Sequence, residues 1–162
     1  MEALHINNDS NESEIAEANS LQLIAFSIGE ETYSVEITTV REIRAWNGAT
    51  PLPNTREFVR GVINLRGTIV PIFDLRARFG EGQTSPTKTH VVVVMSVGEK
   101  FVGILVDAVS DILTISKDDV HPVPESNSSG DGELLRGIIT HNSRMVGLID
   151  LQAIVAGAKL ED

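Results

Sequence analysis

The amino-acid sequence predicts a mainly β protein in which two small barrels of about five strands each pack against one another. Apolar and polar residues alternate over short runs that end at glycine-containing turns, which is the period of a half-buried strand. The hydrophobic fraction is 41% but aromatic residues make up only 4%, so the core must be built from Val, Ile and Leu. In addition, the second half of the chain repeats the pattern of the first.

The first half of the chain shows these elements in order. The run "LQLIAFSIGEETYSVEI" alternates and breaks at Gly29-Glu30-Glu31, which predicts a hairpin. Next, "EITTVREI" predicts a helical turn with Thr38 as its N-cap, followed by a strand. The prolines of "PLPN" keep that stretch extended, because each disfavours helix in the residue before it. The stretch "NTREFVRG" then predicts a short helix that Asn54 caps and Gly61 ends.

A second hairpin, "VINLRGTIVPIFDL", follows with Arg66 and Gly67 at its turn. Asp74 lies where it would cap the short helix "LRARF" by accepting a hydrogen bond from a backbone amide of the first turn. Turn-forming residues over 80–87 separate this half from a second strand-rich set that begins at "HVVVVMSVG". The sequence therefore predicts short hairpins joined by turns and short helices.

The second half repeats the first in two blocks. "FSIGEETYSVEITTVREI" aligns without a gap with "MSVGEKFVGILVDAVSDI", and "VRGVINLRGTIVPIFDL" aligns with "LRGIITHNSRMVGLIDL". The matched pairs include Gly29 with Gly98, Thr38 with Asp107, and Asp74 with Asp150. We expect both members of the second and third pairs to cap helices. Shared turns and hydrophobic phase at matched spacing indicate an internal duplication.

The duplication sets the predicted domain organisation. We expect a disordered tail over residues 1–19, because that stretch is polar, acidic and without periodicity. A single domain then spans 20–160, with its two barrels over about 20–85 and 88–158. Each copy is too small to bury a sufficient core alone, so burial against the other copy is expected.

Composition and charge exclude some partners. The net charge of −10 argues against nucleic acid, since phosphate binding needs a basic surface. Seven arginines nevertheless cluster between 41 and 78, and arginine suits contacts with other proteins because it forms bidentate bonds and tolerates partial burial. The chain has no cysteine, no secretory signal and no apolar run long enough to span a membrane, so we expect a cytoplasmic protein.

No pattern of catalytic, metal or phosphate-binding residues stands out. Asp74 and Asp150 are two carboxylates of the kind that general acid–base catalysis uses. Each precedes a short helix, however, and is better explained as an N-cap. The four histidines, His5, His90, His121 and His141, lack metal-ligand spacing. The glycine-rich turns are not followed by the Lys-Ser/Thr of a phosphate loop. We therefore predict no catalytic residue, no metal and no cofactor.

The stretch "FVRGVINLRGTIVPIFDLRARFG" resembles the signature of the CheW family, the bacterial chemotaxis coupling proteins. "YSVEITTVREI", "VGILVDAVSDIL" and "LRGIITHNSRMVGLIDLQAIV" resemble that family's other blocks in the same order, so the resemblance covers about residues 20–156. It implies two intertwined five-stranded SH3-like β-barrels with short helices and no active site.

The same resemblance implies a non-catalytic adaptor. Its partners would be the regulatory domain of a CheA-type histidine kinase, the cytoplasmic tips of methyl-accepting chemoreceptors, and other CheW-like domains. The chain would then be cytoplasmic and recruited to membrane-associated receptor arrays, without inserting into the membrane. The sequence does not name the receptor, the kinase or the output of the pathway.

Particular residues match family positions with a role in these contacts. Arg66 matches an arginine linked to receptor coupling, and Val40 and Glu42 match a receptor-contact segment. The glycines at which coupling is sensitive correspond to Gly61, Gly103 and Gly137. The position matched to Arg66 in the second copy is Asn142. A turn can therefore form there without arginine, which favours a functional role for Arg66.

Two other function classes are compatible with a small β protein. One is a small-barrel ligand- or nucleic-acid-binding protein, since SH3-like and OB barrels host both, but the acidity and the scarcity of aromatic residues oppose it. The other is an enzyme with a site between the barrels, and no nucleophile–base pair supports it. Trp46, the sole tryptophan, either covers a barrel edge or anchors a contact.

Overall fold

The computed structural model describes residues 19–124, 134–156 and 158. The predicted disordered tail lies outside this range except for Asn19. The strands are β1 (Ser20–Ile28), β2 (Glu31–Glu36), β3 (Val40–Ala45), β4 (Val59–Leu65), β5 (Thr68–Asp74), β6 (Val91–Val97), β7 (Lys100–Val106), β8 (Ala108–Ser116), β9 (Val120–His121), β10 (Leu135–His141) and β11 (Arg144–Ile149). The α-helices are α1 (Leu75–Arg78) and α2 (Leu151–Ala156), and the 3₁₀ turns are η1 (Ile37–Thr39) and η2 (Lys117–Asp119).

The strands form two sheets that exchange hairpins. One sheet has the order β8-β1-β2-β11-β10-β9 and the other has the order β3-β6-β7-β5-β4. The β1–β2 hairpin of the first copy thus lies between two strands of the second copy, and the β6–β7 hairpin lies between two strands of the first. The mainly β fold and its intertwining are confirmed. The bounds of about 20–85 and 88–158 describe the copies of the repeat, whereas each sheet takes strands from both copies.

The two sheets match strand for strand, which is what an internal duplication requires. Strand β9 adds a sixth member to one sheet, and its counterpart in the other sheet is a single bridge between Thr50 and Val62. The register shifts between Val59 and Gly61 in the β4–β5 pair, and it shifts at the matched place in the β10–β11 pair. Even these bulges are therefore present in both copies.

The core consists of three groups of buried side chains. One group lies within the six-stranded sheet and one within the five-stranded sheet. The largest group lies between the sheets and takes residues from both, including Phe26, Val93 and Ile104, together with Ile154 of helix α2. Helix α2 is tied to this centre by Arg78, whose guanidinium donates to the carbonyl oxygens of Ala153 and Ile154 at 3.2 Å each. The expected burial of each copy against the other is therefore present.

The helix predicted over "NTREFVRG" is absent, and that prediction was wrong. The stretch forms turns, and strand β4 begins at Val59. Asn54 has a φ of +60°, a left-handed conformation that a helix N-cap does not adopt. The capping pattern was local, and the pairing of β4 with β5 and with Thr50 outweighed it.

The predicted N-caps had mixed outcomes. Asp74 and Asp150 are confirmed, since their carboxylates accept from Ala77 N at 3.3 Å and from Ala153 N at 3.2 Å. Thr38 is not a cap, because it lies inside η1 and the cap position is Glu36. Asp107 lies between β7 and β8, where its Oδ2 accepts from Gly29 N at 2.8 Å. The carboxylate thus supports the β1–β2 turn across the sheet and caps no helix.

Candidate partner-binding surface

Arg66 and Gly67 form the two-residue turn between β4 and β5. Their φ values are +51° and +88°, the left-handed pair that tight hairpins favour. Asn64 Oδ1 accepts a hydrogen bond from Gly67 N at 2.7 Å and fixes the turn. A left-handed conformation costs a residue with a Cβ about 1 kcal/mol, and Asn or Gly tolerates it best. The backbone therefore gives no reason for an arginine here.

The Arg66 side chain reaches back to strand β3. Its Nη2 lies 2.6 Å from Glu42 Oε1, and Arg44 Nε lies 3.6 Å from Glu42 Oε2. Each oxygen of the carboxylate is therefore directed at a different arginine. The Arg66 side chain is 76% exposed and that of Glu42 is 25% exposed, so solvent screening limits the ion pair to about 1 kcal/mol or less. Such a pair orients side chains more than it stabilises the fold.

A cleft of about 430 Å³ lies beside this ion pair. Its lining consists of Arg41, Glu42, Leu65, Arg66, Thr68, Val94 and Phe101. Leu65 and Val94 are buried and belong to the core of the five-stranded sheet, so the floor is apolar. Arg41 is held at the rim, because its Nε donates to Ser96 Oγ at 2.8 Å. The cleft can receive an apolar side chain while the arginines bind carboxylates or carbonyl oxygens.

Val40 lies on the same strand as Glu42 but has different surroundings. It is half-buried, pairs with Met95 of β6 and packs against the core between the sheets. Val40 therefore holds β3 against the core, while Glu42 on the same strand lines the cleft. The structure brings Glu42 and Arg66 together, and Val40 supports the strand from which Glu42 reaches the cleft.

The three predicted glycines lie outside the cleft lining and share a close approach to another chain segment. A Cβ atom at Gly61 would lie 2.1 Å from Thr50 O, and one at Gly137 would lie 2.5 Å from Val120 Cγ1. At Gly103 it would lie 2.6 Å from Ile72 Cδ1. Packing thus explains each glycine. A direct contact role for them stays a prediction.

The contact residues predicted from the sequence did not include Arg41, Arg44 or Phe101, although both arginines belong to the cluster over 41–78 that suits contacts with other proteins. The alternation along β3 contains a signal for Arg44, since residues two apart on a strand share a face and Glu42 is a predicted contact residue. Phe101 comes from the β6–β7 hairpin of the other copy. Only the exchange of hairpins brings it to the cleft, and no local pattern indicates that.

The surroundings of Trp46, of the His, Asp and Glu side chains and of the helices complete the description of the surface. Trp46 packs against the core of the five-stranded sheet, and the Arg60 guanidinium lies 5.8 Å from its ring centroid, so this tryptophan covers a barrel edge. Within residues 19–124, 134–156 and 158, no three His, Asp or Glu side chains are grouped to hold a metal ion. The helices in that part of the chain are too short or too polar to cross a membrane.

Known proteins are similar to this chain in sequence or in fold. The CheW-like domain family matches residues 22–159. A probable chemotaxis protein CheW from Rhizobium etli is 46% identical over 140 residues, covering 86% of this chain and 90% of that protein. The chemotaxis protein CheW from Rhizobium meliloti is 44% identical with the same coverage. The crystal structure of the scaffolding protein TtCheW from Thermoanaerobacter tengcongensis matches with a TM-score of 0.76 and 31% identity, covering 83% of this chain and 86% of that one.

These likenesses bear on two predictions. The match to the scaffolding protein confirms the fold class of two intertwined SH3-like barrels. The prediction of a scaffold, and not an enzyme, agrees with the names of the relatives. Because the family match and both relatives span most of its length, this chain belongs to the CheW family.

Proposed function

We propose that this chain is an adaptor that couples methyl-accepting chemoreceptors to a CheA-type histidine kinase. In this role it binds the cytoplasmic tip of the receptor through the cleft beside Arg66 and binds the regulatory domain of the kinase through another surface. It is recruited in this way to receptor arrays at the membrane. Family membership supports the adaptor role, and the geometry of Arg66 supports the choice of receptor surface.

The observation that carries the proposal is the arginine in a left-handed turn. The matched turn of the second copy has the same φ of +51° at Asn142. Asn satisfies that backbone better than Arg does. An arginine that is disfavoured by its own backbone, mostly exposed and directed at a shared carboxylate is best explained by what its guanidinium binds.

The kinase contact is expected at a barrel end, where apolar strand ends and loops can meet those of a similar barrel. Ile69 is 60% exposed at the start of β5. It lines a cavity of about 860 Å³ together with Pro71, Phe73 and Val102, which is mostly apolar. We therefore propose this apolar cavity for the kinase contact, and it adjoins the receptor cleft through Thr68 and Phe101.

The test of the receptor surface is Arg66→Asn. Asn keeps the left-handed turn, so we expect the free energy of unfolding to stay within about 1 kcal/mol of wild type. Kinase affinity, measured by calorimetry without ATP, should also survive. Receptor-stimulated kinase phosphorylation should fall at least tenfold, since removing a charged group from a desolvated interface costs about 2–5 kcal/mol.

The matched control is Asn142→Ala, which changes the corresponding turn of the other barrel. It should leave receptor-stimulated phosphorylation unchanged. If Arg66→Asn folds and couples as wild type does, Arg66 is a solvated turn residue and the proposed receptor surface is wrong. If both variants lose coupling equally, the effect does not belong to the cleft.

A charge exchange distinguishes two roles for Arg66. The double variant Arg66→Glu with Glu42→Arg allows an ion pair of reversed polarity between the same two positions. Coupling should return if the two residues act only through the ion pair that joins the turn to β3. Coupling should stay absent if the guanidinium binds the receptor itself, which is the role we expect. Thermal unfolding of the double variant must match wild type for either result to count.

A further inference from the structure

The segment before β1 is charged in the opposite sense to the cleft. It contains Glu2, Asp9, Glu12, Glu14 and Glu17 and no Lys or Arg, so half of the net charge of −10 lies there. Arg41 and Arg66 line the cleft and Arg44 lies beside it, while Glu42, the acid of the lining, forms ion pairs with Arg44 and Arg66. The remainder of the chain is acidic overall, and the cleft is therefore a local cationic site on an anionic protein.

The start of β1 is connected to the cleft rim through Thr38 and Arg41. Asn19 O accepts a hydrogen bond from Lys117 N at 2.7 Å, which fixes the start of the strand. Ser20 and Thr38 then line a common cavity. The carbonyl oxygen of Thr38 in turn accepts from Arg41 Nη1 at 3.4 Å. One 3₁₀ turn thus separates the point of entry from the arginine at the cleft rim.

The length of the acidic segment allows it to reach the cleft. An extended chain of that length spans about 60 Å, whereas a domain of this size has a radius of gyration of about 14 Å. Glu14 and Glu17 flank Ile15, so the segment offers two carboxylates for the arginines and one apolar side chain for the floor. A tethered ligand also acts at an effective concentration in the millimolar range, so weak pairing suffices for occupancy.

We propose that the acidic segment over residues 9–17 binds the cleft of its own chain and competes there with the partner protein. The carboxylates of Glu14 and Glu17 pair with Arg41 and Arg66, and Ile15 contacts the floor formed by Leu65 and Phe101. The intramolecular contact stands independently of the proposed function. Only the competition rests on it, because competition requires that a receptor binds the same cleft.

A spin label tests the intramolecular binding directly. The chain has no cysteine, so Ser13→Cys gives a single attachment site for a nitroxide in the full-length protein. We expect paramagnetic broadening of the amide signals of Gly67 and Thr68, while Ser143 in the matched turn of the second copy is unaffected. The broadening should disappear in 1 M salt, where the Debye length falls to about 3 Å.

The matched variant is Asp9→Asn, Glu12→Gln, Glu14→Gln and Glu17→Gln in the labelled full-length chain. It keeps the length and volume of the segment and removes the charge, so the broadening at Gly67 should vanish. Equal broadening at both turns, or broadening that persists in this variant, would overturn the proposed binding. A mixture of labelled protein with unlabelled, isotope-enriched protein adds a control. Broadening in that mixture would place the segment on a second copy and overturn the intramolecular proposal.

Competition is measured with the same neutral variant without the label. Its affinity for a soluble fragment of a receptor tip should rise about three- to tenfold, the effect of releasing one or two exposed ion pairs. Unchanged affinity in a variant whose segment no longer binds the cleft would overturn the competition. If neither wild type nor variant binds the fragment, the proposed function fails, whereas the spin-label result still decides the intramolecular binding.

Discussion

The turn between β4 and β5 and the turn between β10 and β11 occupy matched positions in the two barrels. Both begin with a residue at a φ of +51°, which is Arg66 in the first and Asn142 in the second. The first turn carries an ion pair to Glu42 on the neighbouring part of the barrel. Duplication thus supplies an internal reference: the backbone conformation shared by the two turns does not require an arginine, which favours the proposed contact role of Arg66.

The aspartates before the two helices also occupy matched positions, and they differ in burial and in the number of their hydrogen-bond partners. Both cap a helix, but Asp74 is fully buried and also accepts from Thr84 N and Thr84 Oγ1 at 2.7 Å each, with Arg60 Nη1 at 3.6 Å. Asp150 is only half-buried and accepts from Ala153 N. The first aspartate therefore fastens the loop after α1 to the barrel, while the second has a local role.

The largest difference between the copies is expected at the bulge glycines. Gly61 has a φ of +134°, and a Cβ there would meet the backbone oxygen of Thr50, which cannot move aside. Gly61→Ala should lower the free energy of unfolding by about 3–5 kcal/mol, combining left-handed strain with overpacking. At Gly137 a Cβ would lie 2.5 Å from Val120 Cγ1 and 2.9 Å from His121 O, but the backbone is not left-handed, so overpacking alone should cost Gly137→Ala about 1–3 kcal/mol. Urea denaturation measures both.

Gly48→Ala is the control for the bulge glycines. Its φ is +88°, yet no atom lies within 4 Å of the added Cβ, so only the conformational cost of about 1 kcal/mol remains. If Gly61→Ala costs no more than Gly48→Ala, the close approach of Thr50 is not what requires glycine at this bulge.

A difference of similar size is expected at the two aspartates. Asp74→Ala leaves the Thr84 donors and Arg60 without their buried acceptor, and such losses cost about 3–5 kcal/mol. Asp150→Ala removes one N-cap and should cost about 1 kcal/mol. Thermal unfolding of the two variants in parallel gives the comparison. Similar losses of unfolding free energy in the two variants would mean that the contacts of Asp74 with Thr84 and Arg60 add no stability beyond the helix cap.

The elements that the sequence predicted correctly are those determined by neighbours along the chain. Turn glycines and the caps Asp74 and Asp150 depend on residues a few positions apart, and the repeat was recognised because the same local patterns recur in the second half. The helix predicted at Asn54 failed because strand pairing with distant residues decided that stretch. Likewise, Phe101 reaches the cleft only through the exchanged hairpin. The ion pair between Glu42 and Arg66 joins residues on different strands, and only the family resemblance placed both of them in one site.

The smallest effect is expected at the turn residues themselves, and it has opposite signs in the two copies. Arg66→Asn should raise the free energy of unfolding by up to about 1 kcal/mol, since the relief of left-handed strain offsets the weak ion pair with Glu42. Asn142→Arg should lower it by a similar amount, because the carboxylates that form ion pairs among the described residues do so away from that turn. Urea denaturation with shared m-values resolves such differences when both variants are measured beside wild type. If both Arg66→Asn and Asn142→Arg lower the free energy of unfolding, Arg66 stabilises its own barrel. Its presence in the turn would then be explained without a partner that binds the guanidinium.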